Sequence, residues 1–399
     1  MQTGSEQRSA ASVLPAFAGL HESSLAVALA PVGSAPPRLN LLVPQLDESI
    51  FFAGMSTAAS AAALLAAELG LPLRMIALAE SGSRESYAEV HGFVARTFGI
   101  PPERLTLDSR AGLIASGYGS RDLWIATYWT TAHSLQVAAA AGLVDPERVA
   151  YLVQDYEPGF FGWSTESTLA EETYHAGFSL AVNSLPLRDY LQRSQDLEVA
   201  DDRVFSPHFD LDGLKRAAES RSASSTPRIF FYGRPGKPRN LFSVGVAALR
   251  LAVAELAARD IRVEVVSAGL PHDDVDLGAG TVMASHGTLD WDGYVDLLAA
   301  TDVGLSLQKS AHPSHPPLEI AMSGAIAVTN DFANTRSGLH PRLIVRRSSP
   351  QALADGIVEA VERHRAGTDA AFLPVAPGLL GTDVADVVRV LARDLAPQS

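Results

Sequence analysis

The feature that most constrains this chain is an alternation. Short runs rich in Val, Leu and Ile at 39–43, 74–78, 123–127, 149–153, 178–182, 229–232, 263–267, 303–307 and 325–329 recur between longer segments of helical pattern. Short apolar runs spaced by helix-length segments are the mark of βαβ units, which close into parallel sheets covered by helices. The polar stretch ESRSASST at 219–226 breaks the pattern near the middle, and each flanking block is long enough for its own doubly wound sheet. The expected fold class is therefore α/β, with two Rossmann-like domains. Residues 37–205 form the first, 206–226 the junction and 227–380 the second. A closing helix follows within 381–399, where apolar residues fall at helical spacing after the loop 374–382. No repeat of solenoid length is visible.

Charge and composition then remove whole classes of function. A formal net charge of −14 argues against a nucleic-acid surface, which needs clustered Lys and Arg. Lysine occurs only at 215, 237 and 309, and cysteine is absent, so disulfide frameworks and thiolate metal sites are excluded. Residues 1–36, rich in Ala, Ser and Pro, read as a flexible leader. Its apolar run at 25–30 is too short to span a membrane, and the alanine-rich run at 58–67 suits a packed helix. The expectation is a cytoplasmic protein with no transmembrane segment. Its oligomeric state stays open.

Five segments could carry chemistry. HPSHPPLEIAMSG (312–324) follows a strand-like run. Pro317 suits a first helical turn whose free N–H groups could hold a phosphate, and Glu319 lies one turn further, where a carboxylate can accept ribose hydroxyls. Ser314, His315, Pro316, Pro317 and Leu318 complete that turn. The plainer alternative is an ordinary glutamate favoured by the helix dipole. FFYGRPGKPRN (230–240) runs from a strand into a Gly/Pro loop with Gly233, Arg234, Lys237 and Arg239. Cations there can grip a diphosphate and stabilise it as it leaves, or they form a solvated turn.

Gly54 in FFAGMST (51–57) sits at a first strand-to-helix turn, a place where backbone can approach a ligand or where a helix is simply capped. YLVQDYEPGFFGW (151–163) ends a strand on Gln154, Asp155 and Glu157, followed by Phe160, Phe161 and Trp163. Acids at that position can orient or deprotonate an acceptor hydroxyl while the aromatics cover a sugar ring, or they cap the next element. His133 in ATYWTTAHSL (126–135) could touch the acceptor, although a packed histidine near a helix start is the commoner case. The triplets Asp210-Leu-Asp212 and Asp290-Trp-Asp292 look like metal motifs but precede helical stretches, so capping is the better reading, and Asp273-Asp274 reads as solvated. No metal site is expected. GxGxxG, HExxH, P-loop and GxSxG patterns are absent.

Together these segments resemble the nucleotide-sugar glycosyltransferases of the GT-B fold over nearly the whole chain after residue 36. Arg234 and Arg239 resemble the Arg and Lys that hold the diphosphate in the retaining family-4 type, LEIAMSG resembles its helix with the ribose-binding Glu, and SPHFDLDGL (206–214) resembles the segment linking its domains. VQDYEPGFFGWSTES, FYGRPGKPRN and HPSHPPLEIAMSGAIAVTN are similar to bacterial rhamnosyltransferases that build surface rhamnan and S-layer glycans from dTDP-L-rhamnose.

The resemblance implies two domains facing a central cleft, a nucleotide-sugar donor held by the C-terminal half, a glycan acceptor held by the N-terminal half, and no cofactor or essential metal. It also implies that backbone groups at His286, Gly287 and Thr288 bind the base, with Asp155, Glu157, Arg234 and Arg239 as the catalytic group. A peripheral membrane contact follows only if the acceptor is lipid-linked. The chain departs from the broad pattern at Ala311, where a second Glu would stand, which leaves the stereochemical outcome open. Two competing readings are a noncatalytic nucleotide-sugar or glycan-binding protein and a sugar nucleotide epimerase on the same architecture.

Overall fold

The computed structural model describes residues 23–46, 53–79, 84–221, 225–367 and 369–396. Residues 1–22 of the expected leader, Phe51 and Phe52 of FFAGMST, and 222–224 of the expected junction lie outside them. The chain divides into two compact units, one of Met1–His208 with Leu380–Ser399 and the other of Phe209–Leu379.

In the first unit the strands are β1 (Val32–Gly33), β2 (Leu39–Val43), β3 (Leu73–Ala77), β4 (Leu105–Ser109), β5 (Tyr118–Gly119), β6 (Leu123–Ala126), β7 (Val149–Val153), β8 (Ser179–Asn183) and β9 (Val204–Phe205). Seven of them make one parallel sheet in the order β4-β3-β2-β6-β7-β8-β9. The helices of this part are α1 (Ala53–Glu68), α2 (Arg84–Thr97), α3 (Arg110–Ser116), α4 (Trp129–Ala140), α5 (Thr165–Glu172) and α6 (Leu185–Gln195). Strands β2, β3, β6 and β7 are buried at every position, as a sheet covered on both faces requires. Ala58, Ala59, Ala61 and Ala62 of α1 share one core with these strands and with Val387, Val388, Leu391 and Leu395, so the closing helix belongs to this unit.

The expected flexible leader needs correction over its described part. Ala26 and Val27 are buried, Val27 N–H donates to Ser134 Oγ at 3.3 Å, and β1 pairs in parallel with β5. The run at 25–30, too short for a membrane, is long enough to bury two or three small side chains. Each contributes roughly 0.8 kcal/mol per buried methylene.

The second unit repeats the plan. Its strands are β10 (Arg228–Gly233), β11 (Glu264–Gly269), β12 (Val275–Gly278), β13 (Thr281–Ser285), β14 (Val303–Ser306), β15 (Ile326–Asn330) and β16 (Leu343–Arg346), in the order β12-β13-β11-β10-β14-β15-β16. Only the β12–β13 edge is antiparallel. The helices are α7 (Leu211–Glu219), α8 (Phe242–Ala258), α9 (Trp291–Ala299), α10 (His315–Met322) and α11 (Pro350–Arg365), and the chain ends in α12 (Val384–Leu395) of the first unit. Asp210 accepts Gly213 N–H at 3.0 Å and Asp290 accepts Gly293 N–H at 2.9 Å, so both triplets are helix caps as expected. Pro238–Ala258, which contains α8, is long and apolar enough by composition to cross a membrane. Its Val246, Leu249, Val253 and Leu256 nevertheless sit in the core under this sheet.

Helix α8 lies against the sheet at Gly245, where an added Cβ would meet the Phe231 ring, with Cε2 at 2.7 Å. Phe231 is fully buried and stacks on Phe242, so it has little room to yield. Gly245→Ala should gain about 1 kcal/mol in helix propensity and lose about 1–3 kcal/mol to overpacking. The expected net effect is a lower melting temperature, read by circular dichroism; an unchanged or higher one would show that the ring gives way freely.

Candidate functional site

In both sheets the order runs outward in opposite directions from one central pair, β2 and β6 in the first unit and β10 and β14 in the second. Loops leaving the carboxyl ends of such a pair diverge and leave a crevice that ligands occupy. In the second unit those loops are 234–241 after β10 and 307–314 after β14. They are tied together: Lys309 N–H donates to Arg239 O at 2.7 Å, and Asn240 Nδ2 donates to Leu307 O at 3.1 Å.

Arg234 lies over the Tyr232 ring, with its guanidinium carbon 5.9 Å from the centroid. Burial raises the pKa of the Tyr232 hydroxyl, Glu319 adds to this, and Arg234 and Arg239 oppose it, so the two cations and the carboxylate all act on one phenol. Lys237 is exposed and donates only its backbone N–H, to Arg234 O at 3.0 Å. Gly233 is required by close approach, since a Cβ there would meet Ser267 Oγ and would stand 3.2 Å from Phe242.

The loop after β14 is held by a residue the sequence did not single out. Arg336 is fully buried, and its guanidinium donates to the carbonyls of Gln308 (3.0 Å), Ser310 (2.9 Å), His312 (3.1 Å), Pro313 (3.3 Å) and Asn330 (3.1 Å). Asn330 also accepts Gln308 N–H at 2.7 Å. So held, the chain turns into α10 through Ser314 at φ 71° and ψ 148°, a region L-residues rarely adopt.

That geometry corrects the expected phosphate cradle of free helix amides. A helix start presents four N–H groups without intrahelical partners. Here Pro316 and Pro317 have none, and the Ser314 amide donates to His312 Nδ1 at 3.0 Å. Three of the four amides are thus unavailable to an anion. The prolines fix the helix start and remove most of its donors. Leu318 is buried in the core, and the rings of His315 and His312 stack at 5.7 Å. Burial, with Arg336 and Arg239 nearby, holds the His312 imidazole down to about 3, so it stays neutral.

Glu319 follows one turn into α10. It is buried, Tyr294 Oη donates to its Oε2 at 3.0 Å, and burial pushes its carboxyl up to about 7 despite that bond. A carboxylate in this state gains a strong partner when a hydroxyl arrives. The expected base-binding turn is partly committed elsewhere: His286 N–H donates to Ser267 O at 2.7 Å, and Gly287 O accepts Gly269 N–H at 2.8 Å. Thr288 Oγ1 donates to Gly269 O at 3.3 Å. Two of the backbone groups assigned to the base are thus used to pair with β11.

In the first unit Gln154 follows β7 and donates through Nε2 to Gly54 O at 2.8 Å, while its buried Oε1 has no partner among the described residues. Asp155 is partly exposed and accepts Tyr156 N–H at 2.8 Å. Glu157 requires a different role from the one expected. It is 3% exposed, and its Oε2 accepts the Trp129 amide at the start of α4, which makes it a helix cap. His133 is likewise 2% exposed inside α4 and bonds Gln136 Oε1 through Nδ1 at 3.1 Å, the packed alternative rather than an acceptor contact. Phe160 stacks on Tyr128 at 6.4 Å and Phe161 meets Trp129 edge-on at 5.7 Å, whereas Trp163 is fully exposed. Among the described residues no group of three His, Cys, Asp or Glu side chains could hold a metal ion.

The two parallel-sheet units define the GT-B fold. Residues 38–182 match the N-terminal domain of the WsaF family and residues 227–358 its C-terminal domain. With both domains matched in order over more than half its length, the chain belongs to that family. A curated relative, the O-antigen biosynthesis protein RfbC of Myxococcus xanthus, is 34% identical over 256 residues, 63% of this chain. The match spans only 19% of that protein's length.

Solved structures of similar fold include S. aureus TarM (TM-score 0.54, 8% identity, 90% of this chain and 96% of that one). The N-terminal domain of the Candida albicans trehalose-6-phosphate phosphatase also aligns (0.54, 11%, 90% and 95%). So does the Burkholderia multivorans trehalose 6-phosphate synthase (0.50, 12%, 90% and 98%). At these identities they speak for the fold alone.

The raised carboxyl of Glu319 has a measurable consequence. A carboxyl whose folded pKa of about 7 stands above its ordinary 4.5 contributes stability that is complete below the ordinary value and lost as pH rises through 7. Glu319→Gln removes the ionisation, so it should stabilise the protein at pH 8 relative to pH 5, by about 3 kcal/mol at most. Thermal melts of both proteins at both pH values check this; a difference between the two proteins that does not change with pH would contradict it.

Proposed function

We propose that this chain transfers a hexosyl group from a nucleoside diphosphate sugar to a hydroxyl of a growing glycan, with L-rhamnose carried on dTDP as the donor. The observation that carries this reading is that Arg234, over the Tyr232 ring, Arg239 and Glu319 all act electrostatically on that one phenol at the β10/β14 crevice. Two guanidiniums match a diphosphate, and the buried carboxylate one turn into α10 matches a sugar hydroxyl of the nucleoside. A deoxyribose offers Glu319 one hydroxyl where a ribose offers two, so nucleotide preference bears directly on the donor assignment.

In the proposed reaction the acceptor hydroxyl attacks the anomeric carbon, the bond from that carbon to the β-phosphate oxygen breaks, and the nucleoside diphosphate leaves. Arg234 and Arg239 stabilise the charge that develops on it, with no step assigned to a metal or other cofactor. Asp155, at the carboxyl end of β7, binds the acceptor hydroxyl and accepts its proton, while Gln154 Oε1 takes a second hydroxyl. Trp163 offers a face for stacking a sugar ring. The name of the Myxococcus relative supports a surface polysaccharide as the product. A cytoplasmic location belongs to the same proposal.

Incubation with dTDP-L-rhamnose, other nucleotide sugars and acceptor glycans, read by mass spectrometry, separates the readings. Transfer gives a heavier glycan; an epimerase gives an isomerised nucleotide sugar with no acceptor present; a binding protein gives neither.

Two substitutions test the residues. Arg234→Ala should weaken nucleoside diphosphate binding about tenfold to a hundredfold, the worth of one charge-assisted bond of about 1.5–3 kcal/mol, and leave nucleoside binding nearly unchanged. Equal losses for both ligands, measured by calorimetry, would remove Arg234 from the phosphate. Asp155→Asn should cut turnover at least tenfold with little change in the affinity for the nucleotide sugar. A collapse of that affinity instead would overturn the acceptor assignment.

A further inference from the structure

We propose that His312 is a neutral hydrogen-bond donor to a phosphoryl oxygen of the bound nucleoside diphosphate. The inference rests on the nucleotide reading above and assigns a residue for which neither sequence pattern nor resemblance gave a role.

The observations begin with Pro316 and Pro317, which leave the start of α10 short of amides, and with the Ser314 amide, which His312 Nδ1 takes up at 3.0 Å. A ring nitrogen that accepts an N–H carries no proton, so in the neutral ring the proton sits on Nε2. His312 is 6% exposed, and among the described residues Nε2 has no hydrogen-bond partner. One backbone donor of the helix start is thereby exchanged for an imidazole N–H. Buried donors are almost always satisfied, so an orphan at a crevice where ligands bind points to a partner that arrives with the ligand.

Three features fix the ring. Arg336 holds the His312 carbonyl at 3.1 Å, Ser310 Oγ accepts the His312 amide at 3.2 Å, and the His315 ring stacks at 5.7 Å. The charge environment selects the class of ligand atom. Burial, Arg336 and Arg239 keep the imidazole uncharged, and beside the charge of Arg239 the acceptor that a nucleotide sugar brings is a phosphoryl oxygen. A neutral donor adds to the grip without adding a third cation for the leaving group to break away from.

The test compares wild type, His312→Leu and His312→Gln by calorimetry with dTDP, UDP, thymidine, uridine and inorganic pyrophosphate. His312→Gln keeps an N–H near the end of the side chain. The expected result is at least a tenfold loss of diphosphate and pyrophosphate affinity in His312→Leu, nucleoside affinity within about twofold of wild type, and recovery of most of the loss in His312→Gln. Unchanged diphosphate binding in His312→Leu, or an equal loss for nucleosides, overturns the proposal while the nucleotide reading stands. If wild type binds no nucleotide and no pyrophosphate, both fall together.

Should His312→Leu fail to fold, histidine-selective 15N NMR of the wild type decides. The Nε2–H tautomer should be present in the free protein and its resonance should shift with dTDP but not with thymidine. The opposite tautomer, or no shift on saturation with dTDP, sinks the proposal.

Discussion

The rest of the site depends on the reversal of strand order between β10 and β14. The neighbours β10 and β11, and β14 and β15, are each joined through a helix that covers them, but at the reversal the two following segments leave in opposite directions and their backbone cannot pair as a sheet. The segment after β14 must therefore find other partners for its carbonyls, each of which would cost about 1–3 kcal/mol if buried unpaired. Arg336 supplies them. One guanidinium satisfies carbonyls at 308, 310, 312, 313 and 330, and that number of contacts offsets the several kcal/mol needed to bury its charge. A loop constrained this fully can hold Ser314 at positive φ, a conformation that costs about 1–3 kcal/mol by itself.

Glu319 shows the opposite balance. Nothing around it compensates a full charge: Tyr294 donates one hydrogen bond, and burial still drives the carboxyl toward neutrality. The protein is therefore less stable than it could be at neutral pH, and the deficit sits where a ligand hydroxyl would remove it. A stabilising guanidinium at Arg336 and a destabilising carboxylate at Glu319 bear on the same turn, one making it rigid and the other leaving it unsatisfied. That pairing suits a binding site better than a structural corner.

Much of the architecture is written in local sequence. All nine apolar runs became strands because strands inside a helix-covered sheet are predominantly apolar, which is a local property. Asp210 and Asp290 were legible as caps because the bond each makes spans three residues. What could not be read depended on partners distant in the chain. Arg336 meets carbonyls 6 to 28 positions away, and nothing in the surrounding NTRSG distinguishes it from a surface arginine. Glu157 caps a helix that begins 28 residues earlier, so its own neighbourhood suggested an acid in a site. The missing amides of α10 were a different kind of oversight. Two adjacent prolines announce the loss of two donors in the sequence itself.

For the proposed donor, the means of phosphate recognition changes rather than its place. A chain with net charge −14 gains little from long-range attraction of an anion, because charges beyond a Debye length of about 8 Å are screened and the average sign is wrong. Affinity for a diphosphate has to come from contacts made inside the crevice, where the dielectric is low and geometry decides the outcome. Helix amides are the usual source, and in α10 the sequence has removed them in favour of a helix start pinned by prolines. What remains are guanidiniums on the facing loop and a neutral imidazole held in one tautomer by the amide it replaces. Such an arrangement places each donor individually, so it depends on the rigidity that Arg336 gives the loop more than a row of backbone amides would.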